Sequence, residues 1–160
     1  MGSWPIIPCV IGLLWWSTAA QSQSVPVGYK QVASEYSLPP GLLYAVALTG
    51  SGQSSLSEGQ LRPWPTETKT SVDIGLMQIS WRYHRSVLGS SWQALDPYHN
   101  LRVAAAILRD CFVEHSHWIQ SAGCYHAPND PARADRYGQR VKVHWRRLTG
   151  TPMEVRIENP

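Results

Sequence analysis

Charge is scarce in this chain and unevenly placed. The first 29 of its 160 residues carry no charged side chain, and the 14 Lys and Arg against 11 Asp and Glu leave a net charge of +3. So mild an excess does not argue for nucleic acid as a partner, although it suits an anionic polymer or a membrane surface. No internal repeat and no segment of alternating apolar and polar residues stands out, which disfavours solenoids and large sheets and leaves a mainly α class. No apolar run reaches the roughly 20 residues of a membrane span, because Pro5 and Pro8 shorten the N-terminal one. Cysteine is limited to Cys9, Cys111 and Cys124. What is present, 43% apolar and 16% charged residues, is the composition of one globular domain with a real core.

The uncharged N-terminus reads as a secretory signal peptide over residues 1–22. A largely apolar stretch from Ile6 to Trp16 precedes the small residues Ser17, Thr18, Ala19 and Ala20, with cleavage expected after Ala20 or Ser22. The stretch lacks the usual leading Lys or Arg, and the alternative is an uncleaved anchor. Export removes Cys9 and leaves Cys111 and Cys124 as an even pair in an oxidising compartment. A disulfide closing that loop would contribute about 3 kcal/mol. Cys111, His115, His117, Cys124 and His126 also cluster in sequence and could in principle supply zinc with two thiolates and two imidazoles. Their spacing matches no standard zinc motif, so no metal or other cofactor is expected.

The chain is organised around Pro39–Ser54. Leu42 to Leu48 are seven consecutive apolar residues, the pattern of a helix buried on all sides. Pro39 and Pro40 are expected in its first turn, with Gly50 and Gly52 at its stop. A short helix is expected over Val27–Tyr36, with Val27, Val32, Ala33 and Tyr36 inward. Residues 52–71 read as a polar loop or lid. Asp73–Ser80 is either a buried strand or a tight turn before a helix at Trp81–Leu88. Asp96-Pro97 and Asp130-Pro131 are cap and first-turn pairs that open two longer helices. A shorter helix between them includes Trp118, Ile119, Ala122 and Tyr125 and is ended by Pro128. The last helix turns Ala134, Tyr137, Val141, Trp145 and Leu148 inward, and its other face is basic through Arg133, Arg136, Arg140, Lys142, Arg146 and Arg147. Such a face is usually just solvated; its functional reading is attraction to peptide-stem carboxylates or anionic membrane, with nothing that reads bases. Residues 149–160 read as a frayed tail after a domain over 27–148.

The blocks A-V-A-L-T-x-S-G, D-I-G-L-M-Q-I, N-L-R-V-A-A-A-I-L, A-G-C-Y and Y-x-x-x-V occur in this order between Tyr29 and Leu148. Together they resemble the lytic transglycosylase domain, whose α fold is lysozyme-like and shared with goose-type lysozymes. G-L-M-Q-I at Gly75–Ile79 is the most specific block. Among subgroups the chain is similar to exported, periplasmic enzymes that accompany conjugation and secretion machinery.

The resemblance implies cleavage of peptidoglycan between N-acetylmuramic acid and N-acetylglucosamine by one glutamate at the end of the central helix. That acid protonates the glycosidic oxygen while the muramic acetamido carbonyl stabilises the positive charge. It then serves as base for the sugar's own 6-hydroxyl, which gives an anhydro-muramic end. In this chain the position is Gly50, which has no proton to give. Glu58 is the candidate substitute acid, followed by Asp73. The resemblance further implies substrate contacts at Ser51, Gln78, Tyr125 and Tyr137, with Met77 in the core. His126-Ala127-Pro128 stands where the family has Asn-Ala-Gly, and Thr66–Val72 is shorter than the matching segment of close relatives. Two readings from different classes follow. One is a peptidoglycan-cleaving enzyme that retains activity; the other is a non-catalytic relative that binds glycan strands or forms a structural part of an envelope machine.

Overall fold

A computed structural model describes residues 24–51 and 72–150. Within them seven helices run in the order α1 (Val27–Glu35), α2 (Leu42–Ser51), α3 (Trp81–Leu88), α4 (Ser91–Leu95), α5 (Pro97–His115), α6 (Trp118–His126) and α7 (Pro131–Thr149). A minimal antiparallel hairpin, β1 (Asp73–Ile74) and β2 (Ile79–Ser80), pairs Asp73 with Ser80 and Ile74 with Ile79. The two readings of Asp73–Ser80 are thus both met in part: its ends pair as strands around a tight turn, and a helix follows.

The core is built on α2. Every residue from Leu42 to Leu48 is buried, as an all-apolar helix requires. Each large aliphatic side chain among them contributes roughly 1.5–3 kcal/mol by leaving water. Pro39 and Pro40 precede the helix instead of occupying its first turn. Between them and Leu42 sits Gly41 in the left-handed region at φ 79°, and the Trp145 indole Nε1 donates to the Pro40 carbonyl at 2.8 Å. The first helix buries Tyr29, Val32 and Ala33, while Val27, expected to face inward, is 77% exposed.

Both aspartate caps form as their sequence dictates: Asp96 accepts from the His99 amide at 2.7 Å and Asp130 from the Arg133 amide at 3.0 Å, each followed by proline. The short α4 was not anticipated, although Ser90 and Gln93 form a reciprocal capping box at its start. Thr149 belongs to α7, which ends at left-handed Gly150, so the expected tail begins later than 149; residues 151–160 lie outside the described residues. The expected signal peptide over 1–22 and the polar loop lie outside them as well. No described helix is long and apolar enough to cross a membrane.

Two contacts position the C-terminal helices. The Cys111–Cys124 disulfide, with Cα atoms 6.0 Å apart, joins α5 to α6. Helices α6 and α7 meet backbone to backbone, because a Cβ on Gly123 would lie 2.6 Å from the Ala134 carbonyl oxygen and one on Gly138 the same distance from that of Ile119. A methyl at either place would force the helices apart. Helix α7 in turn packs on α2.

Candidate functional site

The end of α2 at Gly50 faces the hairpin turn through Gln78 and α7 through Tyr137, and α6 joins them through Tyr125 and His126. The turn is held by Asn100, which is fully buried. Its Oδ1 accepts from the Met77 amide at 2.9 Å, and its Nδ2 donates to the carbonyls of Ile74 and Ala94, both at 3.1 Å. Gly75 has φ 75°, and a Cβ there would collide with the Asn100 amide. Glycine is therefore required twice over, by conformation and by space. Met77 is buried, as expected for core packing, whereas Gln78 is half-buried at φ 52° and donates from Nε2 to the Gly75 carbonyl at 2.9 Å.

Gly50 lies in the last turn of α2, before the helix end, and is not among the glycines with positive φ. It is therefore not the left-handed stop that glycine after a helix usually marks, and its backbone accepts any side chain. A Cβ built there meets the Tyr137 Oη at 3.5 Å and the Gln78 Cβ at 3.8 Å, ordinary contact distances. Among the described residues, a Cβ at position 50 thus fits between Tyr137 and Gln78, and the sequence supplies none.

The two tyrosines are anchored in different ways. Tyr137, 2% exposed, donates to the Val46 carbonyl of α2 at 3.2 Å. Tyr125 donates to the Met77 carbonyl at 2.8 Å, so its hydroxyl ties α6 to the hairpin turn. Burial pushes both hydroxyls well above the usual tyrosine range, and each also feels the Asp73 carboxylate. Both are therefore neutral hydrogen-bonding groups across the physiological range.

Of the candidate substitute acids, Glu58 lies outside the described residues. Asp73, at the start of β1, is the described carboxyl whose charge reaches both tyrosines. Partial burial raises its pKa, opposed by Arg133. Ser51 closes α2.

Three further residues meet here: Arg133 and Arg140, expected from sequence only as part of a basic helix face, and His126, expected only as a candidate zinc ligand and a departure from the family's Asn-Ala-Gly. His126 stacks on Tyr137 with ring centroids 4.1 Å apart and an interplanar angle of 13°. The Arg133 Nε donates to His126 Nε2 at 3.3 Å, and the Arg140 guanidinium carbon lies 5.5 Å from the Tyr137 ring centroid. Burial, with Arg133 and Arg140 adding to it, lowers the His126 pKa, so the ring is neutral at neutral pH. The available sequence signal was the i, i+7 spacing of Arg133 and Arg140, which puts both on one helix face either side of Tyr137.

The zinc alternative is not supported: Cys111 and Cys124 are bonded to each other, so neither offers a thiolate. The grouping of Glu114, His115 and Cys124 depends on that same bonded sulfur.

A family model described as the transglycosylase SLT domain matches residues 29–142. The chain belongs to this family. The SLT domain accounts for the mainly α, lysozyme-like helical fold around a buried central helix, and it makes peptidoglycan the polymer toward which the protein is directed. No curated protein and no solved structure gives a significant match.

Proposed function

We propose that this SLT domain binds peptidoglycan strands in the cleft at the end of α2 and that its cleavage step is lost or severely impaired. The observation that carries the proposal is that Gly50 supplies no side chain at a place where a Cβ fits between Tyr137 and Gln78. A carboxyl on a side chain there would extend from a Cβ 3.5 Å from the Tyr137 hydroxyl, in the last turn of a helix whose negative end favours the protonated acid. That is the state needed to donate a proton to a glycosidic oxygen. Without it the leaving sugar departs unprotonated, and losing one positioned general acid costs about a hundred- to ten-thousand-fold in rate. The rest of the cleft stays assembled, with Gln78, Tyr125 and Tyr137 each held by a hydrogen bond.

A second reading, residual cleavage with Asp73 as the acid, is favoured by its raised pKa and its electrostatic proximity to both tyrosines. The resemblance to transglycosylases of conjugation and secretion systems, with the N-terminal pattern of residues 1–22, supports a periplasmic role beside such machinery as part of the proposal.

The test is a digest of purified peptidoglycan by the unmodified protein, Gly50→Glu and Asp73→Asn, with mass spectrometry of the products. The expected outcome is binding of insoluble peptidoglycan by all three, and anhydro-muramic ends in quantity from Gly50→Glu alone. Abundant anhydro ends from the unmodified protein would overturn the loss of cleavage, and their disappearance in Asp73→Asn would establish the second reading. Failure to sediment with peptidoglycan would remove the binding role.

A further inference from the structure

A group of cationic and aromatic side chains surrounds Tyr137, whose hydroxyl lies 3.5 Å from a Cβ built on Gly50. His126 lies flat on Tyr137, and Arg133 donates from Nε to His126 Nε2 at 3.3 Å. Seven residues along the same helix, Arg140 lies 5.5 Å from the Tyr137 ring centroid. Because Nε2 of His126 accepts from Arg133, the proton of the neutral ring sits on Nδ1 and is a further donor. Among the described residues neither arginine has a carboxylate within ion-pair distance, and their terminal Nη groups have no hydrogen-bond partner. Both side chains are exposed. Among the described residues Asp73 acts on Arg133 through its charge and Asp130 accepts from the Arg133 amide, but neither carboxylate pairs with the guanidinium groups.

We infer that Arg133, His126 and Arg140 form a carboxylate-binding subsite that recognises the acidic groups of the wall polymer entering the cleft at Gly50. The inference rests on the peptidoglycan-binding reading above. A guanidinium offers parallel N–H donors in a planar fork that matches a carboxylate. The stack on Tyr137 holds the His126 ring, and through it Arg133, in a fixed orientation. Neutral sugars give such groups little to bind, whereas the wall supplies carboxylates from its peptide stems and, where a stem is absent, from the lactyl group of muramic acid.

The experiment measures the affinity of the purified protein for soluble glycan strands bearing intact peptide stems and for the same strands with their carboxyls converted to amides. The free acid is expected to bind about tenfold more tightly, the value of one charge-assisted hydrogen bond. The preference is expected to fall to near one in the double variant Arg133→Gln, Arg140→Gln. It is expected to persist in Arg146→Gln, Arg147→Gln, which removes the same charge from the same helix away from His126. Circular dichroism of each variant verifies the fold. Strands stripped of peptides by an amidase, which frees the lactyl carboxylate, test the second source: a preference there shows that the lactyl group also binds, and its absence confines recognition to the stem.

Equal affinity for acid and amide in the unmodified protein would overturn the subsite while leaving the glycan-binding reading intact. Equal loss in both double variants would also overturn it, showing a diffuse field. An arginine dependence seen only with phosphatidylglycerol vesicles would replace it with a membrane contact. No binding to any strand would defeat the underlying reading as well.

Discussion

Replacing Gly50 by alanine and, separately, by glutamate distinguishes the fit of a side chain from the effect of its charge. A glycine inside a helix costs about 0.5–1 kcal/mol relative to alanine, because it loses more backbone freedom on folding. The Cβ of alanine would sit at ordinary contact distances, 3.5 Å from Tyr137 Oη and 3.8 Å from Gln78 Cβ, so no repacking opposes that gain. Gly50→Ala is therefore expected to raise the melting temperature by about 2–6 °C. Glutamate gains similarly from the backbone, but its carboxylate faces the negative end of α2, at about 0.3–1 kcal/mol when ionised. The helix end disfavours the charged form, so the pKa of the introduced carboxyl is raised above its unfolded value. The native state then binds the proton more tightly, and the favourable contribution is fully present below the unfolded pKa and lost as pH rises through the folded one. Calorimetric melts from pH 4 to pH 7 should therefore show a gap between the two variants that opens as pH rises, with glutamate the lower. A melting temperature for Gly50→Ala below that of the unmodified protein would refute the helical backbone and open space at this position. A gap independent of pH would refute the helix-end argument.

Other perturbations test the supports of the cleft. Asn100→Ala removes three buried hydrogen bonds and is expected to cost about 3 kcal/mol in urea unfolding, with loss of the hairpin amide signals in NMR spectra. Tyr125→Phe leaves the Met77 carbonyl without that donor and should cost about 1 kcal/mol by the same measurement, the ring packing being retained. Reduction of Cys111–Cys124 is expected to lower stability by about 3 kcal/mol, read from urea titrations with and without a phosphine reductant. Asp73 has a folded pKa raised above the unfolded one, so its contribution is most favourable at acid pH and declines as pH rises through the carboxylate range. The stability of Asp73→Asn relative to the unmodified protein should accordingly increase over that range.

The helices were legible because their signals are local. Seven apolar residues in a row define α2 whatever surrounds it, and Asp-Pro pairs satisfy helix amides within three residues of themselves. The G-L-M-Q-I block and its neighbours marked the family for a similar reason, since Gly75 is demanded by the conformation and space of its own turn. Position 50 was legible, through the resemblance alone, as a glycine where the family's acid is expected. Its meaning was not, because a glycine near a helix end can be a left-handed stop or a residue inside the last turn, and the φ that separates them appears only in the folded chain.

The remainder of the site depended on contacts between residues far apart in sequence. Asn100 reaches back 26 residues to the Ile74 carbonyl, Tyr125 reaches 48 to Met77, and Tyr137 reaches 91 to Val46. No periodicity within one helix encodes such partners. The basic face of α7 was visible as a row of arginines. That two of them lie about a histidine stacked on Tyr137 was decided by Gly123 and Gly138, which let α6 and α7 approach until their backbones touch. By itself the sequence determined the longer helices and the family they compose. The tertiary structure decided that a Cβ at position 50 would meet Tyr137 and Gln78 at ordinary contact distances and that Arg133 and Arg140 lie about the His126–Tyr137 stack, because both are properties of the space between helices.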